Sequence, residues 1–363
     1  MLSTPFSTEV KPDGEAFIDC LKRKGTPKRV HNIELFLDVE IQDAIARRFG
    51  IGRELNPADP FFPQKRLIAL QRFLGYDYVT ANVNNLGFKF DRLLSDDPSE
   101  LKRIGGKRSF AEEHKGPVTN WEEFEKYQWP DLSLASTRDL EWYQKNLPED
   151  MVLIGGLTGH IAEEITWLMG YETLCYTLYE DRALVKAIYD KVFALHKRYT
   201  EILLQFSRIR IVWGSDDMGF KTGPMFSPAD MREFVFPAHK ALAKMVHDAG
   251  RIYFLHACGK LDLLIDDLIN DVKIDAKHSF EDTIENVSET KARYGGKIAL
   301  LGGIDVDFLC RADEKRIRER VRRTLEQCHP GGGYCLGTGN SVANYIPVDN
   351  YLTMMDEGRK FLN

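Results

Sequence analysis

The chain has little of what marks most specialised protein classes. Its 363 residues include only six cysteines, Cys20, Cys175, Cys258, Cys310, Cys328 and Cys335, at spacings that fit no framework. A disulfide scaffold is therefore excluded, and a reducing, cytoplasmic setting is expected. No apolar run reaches the roughly 18 residues that span a bilayer, so no membrane partner is expected. The opening MLSTPFSTEVKPDGEAF has neither a basic n-region nor an apolar h-region, so no signal peptide is expected. Positive charge is not in surplus: 49 Lys and Arg face 55 Asp and Glu, for a net charge of -6. Nucleic acid is then not an expected partner, because phosphate binding needs a concentrated basic face. The densest basic run, Lys315–Arg323, alternates with Ile317 and Val321 and leads to Leu325, which is the pattern of a solvated helix face. There is no internal repeat, no low-complexity tract, and no GxGxxG after the first strand-like run, so a Rossmann nucleotide site has no support.

What is present is an ordinary globular composition, 43% hydrophobic and 29% charged, long enough to bury a large core. Eight strand-like runs stand out, at residues 30–38, 76–83, 151–159, 209–214, 251–258, 273–280, 297–304 and 333–339. Helix-like segments separate most of them. Ser227-Pro228 opens one as N-cap and first-turn proline, running through PADMREFVFPAHKALAKMVHDAG to Gly250. Leu261, Leu264, Ile265 and Leu268 form a helical stripe. Alternating strands and helices predict a parallel sheet with right-handed crossovers, and eight units suggest closure into a single (β/α)8 TIM barrel. Residues 1–29 read as an N-terminal arm and 30–363 as the barrel domain. The segment 84–150 is too long for a βα loop and reads as an excursion over the rim, with a helix from Asn120. Phe88, Phe90 and Phe110 on it are candidates for an aromatic wall or for packing.

In such a barrel the strand C-termini converge on one mouth, and the polar residues fall there. Glu34 and Asp38 close the first run, and Asn82 and Asn84 the second. Asp216 and Asp217 follow the fourth. His256 and Cys258 end the fifth. His278, Glu281 and Asp282 follow the sixth, Asp305 and Asp307 the seventh, and Asn340 the eighth. His256-Ala257-Cys258-Gly259 is the sharpest element. Residues i and i+2 of a strand share a face, so an imidazole nitrogen and a sulfur project together, a bidentate start for an N/S zinc site. The alternative is a packed histidine beside a free cysteine. The remaining ligands are open among Glu34, Asp216, Asp217, His278 and Glu281, and Glu281 is taken as the metal candidate. Cys335, early in its strand, reads as buried filler. One of Asp216 and Asp217 should face the mouth while the other organises the loop. With His278 they are the candidate catalytic residues. Glu34, Asn82, Asn84 and Asn340 are the candidate substrate contacts.

HACGKLDLLIDDLI, KHSFED, LLGGIDVDFL and GGGYCLGTGNSVANYIPVDNYLTMM together resemble the uroporphyrinogen decarboxylase superfamily, and VHNIELFLD, RFLGYDYV and WEEFEKYQWPD fit it in order. The resemblance spans roughly residues 30–363. It implies one TIM-barrel domain and either of two chemistries. One branch decarboxylates uroporphyrinogen. The other holds zinc-dependent methyltransferases that serve corrinoid proteins, with an HxC motif on the fifth strand as zinc ligands, which His256 and Cys258 match. Two departures matter. The RQAGRY-type arginine motif of the decarboxylases is replaced by VHNIELFLDVEIQ, so a polyanionic porphyrinogen would lack its clamp. The cysteine that many of the methyltransferases carry in the eighth-strand loop is replaced by Gly339-Asn340, so a zinc needs another ligand, a carboxylate. The expectation is therefore a zinc-dependent methyltransferase acting between a small methylated or methoxylated compound and a corrinoid held by a partner protein. The alternative is a metal-free decarboxylase-like lyase. A third reading is a non-enzymatic binding barrel. The sequence is compatible with a homodimer and leaves the oligomeric state open.

Overall fold

The computed structural model describes residues 5–362. Its central sheet has seven parallel strands in strict chain order: β1 (Tyr78–Ala81), β2 (Val152–Thr158), β3 (Ile209–Ser215), β4 (Ile252–His256), β5 (Ala276–His278), β6 (Ala299–Leu301) and β7 (Tyr334–Cys335). Each pairs in parallel with the next. The strands are almost wholly buried, as their near-continuous Val, Ile and Leu content requires when helices cover a parallel sheet.

The first expected strand, 30–38, does not form a ladder. It makes single parallel bridges, Asn32 to Leu336 and Leu37 to Val342. On its other side the Tyr78 hydroxyl bonds both the N–H and the C=O of Glu34. A phenol thus occupies the place where a backbone ladder to β1 would run. The segment touches both edges of the curled sheet, but the expected eight strands are seven.

The helix expected after Ser227 is two helices, Pro228–Phe234 and Phe236–Asp248. Pro237 has no N–H to continue the first one, so the chain restarts with proline in the first turn. The expected helical stripe at 261–268 reduces to a turn at Ile265–Asp267 followed by a π-type turn at Leu268–Val272.

Within the expected arm, the helix Gly14–Leu21 lies at the N-terminal ends of the strands, where Gly14 N–H bonds the Asp150 carbonyl and Gly333 N–H the Cys20 carbonyl. Residues 1–4 fall outside the described residues. The 84–150 excursion contains an antiparallel hairpin, Arg92–Asp96 with Lys107–Ala111, and a helix capped by Asn120. Arg103 donates to Asp38 Oδ2 at 2.6 Å, and Asn344 Nδ2 to Asp97 Oδ2 at 2.7 Å. These bonds tie the hairpin to the residues that follow the first and last strand-like runs. Phe88 packs edge-on against Trp129, Phe90 against Trp167, and Phe110 is half exposed. Among the described residues no helix is long and apolar enough to cross a membrane.

Candidate functional site

β4 and β5 are in register with His256 opposite His278. Both rings therefore leave the strand ends side by side, with Nδ1 atoms 2.7 Å apart. Two residues beyond His256, the Cys258 sulfur turns back to 3.3 Å from His256 Nε2. The turn depends on Gly259. Its φ is +95°, and a Cβ there would meet the Gly219 carbonyl oxygen at 2.0 Å. Asp217 completes the group: its Oδ1 accepts from Cys258 N–H at 2.9 Å and lies 3.4 Å from His256 Nε2.

The ligand atoms of Asp217, His256 and Cys258 all lie within 4.8 Å of one another. Tetrahedral zinc, with Zn–N of about 2.0 Å and Zn–S of about 2.3 Å, needs N···S and N···O edges of roughly 3.3–3.6 Å, close to the spacings here. The charge balance agrees. Burial disfavours a charged His256, yet Cys258 and Asp217 outweigh it and raise the imidazole to about 10. Burial pushes Asp217 up, yet His256 and the Cys258 amide bring it down to about 2. The three donors thus call for positive charge at their centre, which a divalent cation supplies in place of the His256 proton. The residues present fit zinc as one nitrogen, one sulfur and one oxygen.

Around this group, Asn340 Nδ2 points to the Cys258 sulfur at 3.4 Å, and Ser279 Oγ lies 3.5 Å from it. Burial, His256 and Lys277 hold His278 well below the usual histidine range. A neutral His278 accepts at Nδ1, so His256 carries its proton on Nδ1 and keeps Nε2 free for a metal.

The other expected residues separate. Asp216 is fully buried, and its oxygens accept from Ala162 N–H at 3.0 Å, Glu163 N–H at 3.1 Å and His239 Nε2 at 2.8 Å. It holds the start of the helix Ile161–Met169, the loop-organising role expected for one of the pair. Glu281 is exposed and outside the donor group. It lines a separate cleft of about 940 Å³ with Asp305, Asp307, Phe308, Tyr345 and Asn340. Asn84 is exposed and ties the excursion to Ser136 and Asp139. Glu34 and Asn82 share a cavity of about 300 Å³ with Tyr78, Thr80, Gln42 and Leu157. Cys335 is fully buried.

Sequence reasoning missed His160 and Glu163. They sit at the start of the helix that follows β2, with His160 Nδ1 2.8 Å from Glu163 Oε2. Burial works against a charged His160, but Glu163, Glu164 and Asp216 raise it to about 9. The signal was present, since HIAEE comes directly after the strand-like run 151–159.

The uroporphyrinogen decarboxylase (URO-D) family profile matches residues 93–361. The chain belongs to this family. Within it, the chain is 36% identical over 75 residues to the uroporphyrinogen decarboxylase of Cupriavidus necator, a match covering 20% of each protein. The first curated relatives are thus matched over only about a fifth of their length. A longer match, 25% identical over 294 residues and covering 76% of this chain and 73% of the relative, is to a methylated-thiol--coenzyme M methyltransferase of Methanosarcina mazei. Among solved structures, a methyltransferase from Methanosarcina mazei superposes with a TM-score of 0.68 at 14% identity, covering 97% of this chain and 100% of the other. That likeness is one of fold.

Proposed function

We propose that this member of the URO-D family is a zinc-dependent methyltransferase, moving a methyl group between a small methylated or methoxylated compound and a corrinoid cofactor carried by a partner protein. The observation that carries the reading is the convergence of Asp217 Oδ1, His256 Nε2 and Cys258 Sγ on one point. Three protein donors are the number that a catalytic rather than a structural zinc would take. Zinc bound there supplies Lewis-acid polarisation of the heteroatom that gives up or receives the methyl group. The protein's own groups do the rest. His278 fixes the His256 ring, and Asn340 steadies the Cys258 sulfur. The His160–Glu163 pair holds a proton at neutral pH for a departing heteroatom. The methylated-thiol methyltransferase match along three quarters of the chain supports the same reading.

The reading places the protein in a reducing cytoplasm, with a corrinoid protein docking at the mouth. The lyase alternative draws on the short decarboxylase matches. Against it, the cavity beside Glu34 is lined by Leu35, Phe36 and Leu37 and, among the described residues, by no guanidinium, although Arg311 and Arg316 line the larger cleft beside Asn340.

Elemental analysis of the purified protein tests the proposal. Stoichiometric zinc, lost in His256→Ala and Cys258→Ala, followed by methyl transfer to a corrinoid read by its absorbance, is the expected result. Turnover of uroporphyrinogen by metal-free protein would overturn it.

A further inference from the structure

Glu34 stands apart from the donor group, yet it is bonded to the turn that touches both sides of it. Its carboxyl is 2% exposed at the side of the sheet. Oε1 accepts from Thr338 N–H at 2.8 Å, and Oε2 meets the Thr338 hydroxyl. The same hydroxyl reaches the Asn340 carbonyl at 3.0 Å. Beyond it, Asn340 Nδ2 points to the Cys258 sulfur at 3.4 Å. In the other direction the Thr338 carbonyl accepts from the Gly303 N–H at 3.2 Å, close to the His278 ring. His278 in turn holds His256.

We propose that Glu34 is a positioning residue for the Asp217–His256–Cys258 centre: by holding Thr338 it fixes Asn340 on the Cys258 sulfur. The inference rests on that centre being the working site of the proposed reaction. It moves Glu34 from the substrate contacts, where the sequence placed it, to the framework of the metal site.

Three observations support it. First, the turn has no freedom elsewhere. A Cβ at Gly337 would lie 1.8 Å from the Ile33 carbonyl oxygen, and one at Gly339 would lie 1.9 Å from that of Phe280. The backbone is therefore pressed against its neighbours on both sides. Backbone bonds hold its peptide planes, Ile304 N–H to the Gly337 carbonyl at 3.0 Å, Gly303 N–H to that of Thr338 at 3.2 Å and Gly339 N–H to that of Ile304 at 2.7 Å, and the Glu34–Thr338 pair adds the side-chain link that runs on to Asn340. Second, one residue engages both oxygens of Glu34: Oε1 accepts from the Thr338 N–H and Oε2 from the Thr338 hydroxyl, which also lies 3.0 Å from the Asn340 carbonyl. Burial pushes the Glu34 carboxyl up to about 8 against these two bonds. Third, the buried phenols of Tyr76, Tyr78, Tyr334 and Tyr351 lie within electrostatic reach of this carboxyl.

The substitution series that tests this is Glu34→Gln, Glu34→Ala and Thr338→Val. Glutamine reproduces both roles, with an amide N–H to Oγ1 and a carbonyl to the Thr338 amide. Alanine removes both. Valine at 338 cuts the hydroxyl link and leaves Glu34 in place. Two readouts are taken. One is Co2+ titration of the metal-free protein, following the sulfur-to-cobalt absorption band. The other is the rate of iodoacetamide alkylation at Cys258, resolved by peptide mass spectrometry in metal-free protein. Glu34→Gln should match wild type in both. Glu34→Ala and Thr338→Val should weaken Co2+ binding about 10–100-fold, the range for lost outer-shell support, and shift the cobalt band and the Cys258 alkylation rate. Unchanged alkylation and cobalt binding in both variants overturns the inference. If wild type binds no Co2+, the zinc reading fails by itself. The alkylation rates then still decide whether Glu34 controls the Cys258 environment. Should the alanine variant not fold, Thr338→Val carries the test.

Discussion

His256 and His278 face each other across adjacent strands with their Nδ1 atoms 2.7 Å apart. Two imidazoles at this distance share one proton, and burial with the neighbouring Lys277 and His256 keeps His278 neutral. A neutral His278 at this distance serves as the acceptor that fixes one tautomer of His256.

Replacing His278 tests that role. His278→Phe keeps a ring against Trp213 and removes the acceptor. Zinc affinity should fall about 10–100-fold, as for other outer-shell histidine partners. His278→Asn, which can accept at a similar distance, should recover part of the loss. Competition with a chromogenic chelator measures both. Equal affinity in wild type and His278→Phe would rule the role out.

Asp217 and Glu281 make opposite predictions. Asp217→Ala removes one of three donors and should lower zinc affinity by at least about 100-fold, more than an outer-shell change does. Glu281→Gln sits in the exposed cleft and should leave zinc affinity unchanged. It should alter the binding of whatever occupies the space near Asn340. Chelator competition on the two variants in parallel separates them. A zinc loss in Glu281→Gln would restore the ligand set expected from sequence.

Asp216, next in the chain, should behave as a stability residue. It and His239 are both fully buried and bonded at 2.8 Å. Removing one partner of such a buried hydrogen bond strands the other and costs about 1–3 kcal/mol. Asp216→Ala should show this as a lower urea midpoint, while the folded fraction retains its zinc. Loss of zinc in folded protein, with little change in midpoint, would instead place Asp216 in the metal centre.

This contrast shows how far the sequence could be read. His256 and Cys258 were legible because a strand has a strict period of two, so their shared direction follows from spacing alone. Asp216 and Asp217 were not separable, because they lie where β3 becomes a loop and the turn decides which side chain faces the mouth. Glu281 was misplaced for the same reason: three residues beyond β5 the chain has already turned outward. The first run, 30–38, was legible as strand-like. The Tyr78 side chain, which takes over one edge of it, leaves no periodic signal. The break at Pro237 was written in the sequence, and the apolar stripe running through it hid the missing N–H.

Glu34 gives the pH signature. In the unfolded chain its carboxyl titrates near the ordinary value of 4.5, while burial, opposed by the two Thr338 bonds, pushes it up to about 8 in the native protein. Between those values the native state holds a proton that the unfolded chain has released. The stability tied to the neutral acid is therefore full below about pH 4.5 and is lost as pH rises through about 8. The buried phenols of Tyr76, Tyr78 and Tyr351, held well above their usual range, do not titrate in this window. Glu34→Gln carries no such proton. Its urea midpoint relative to wild type should rise steadily between about pH 6 and 9 and level off only beyond the native titration. A difference that stays constant across that range would mean that Glu34 is already ionised in the folded protein.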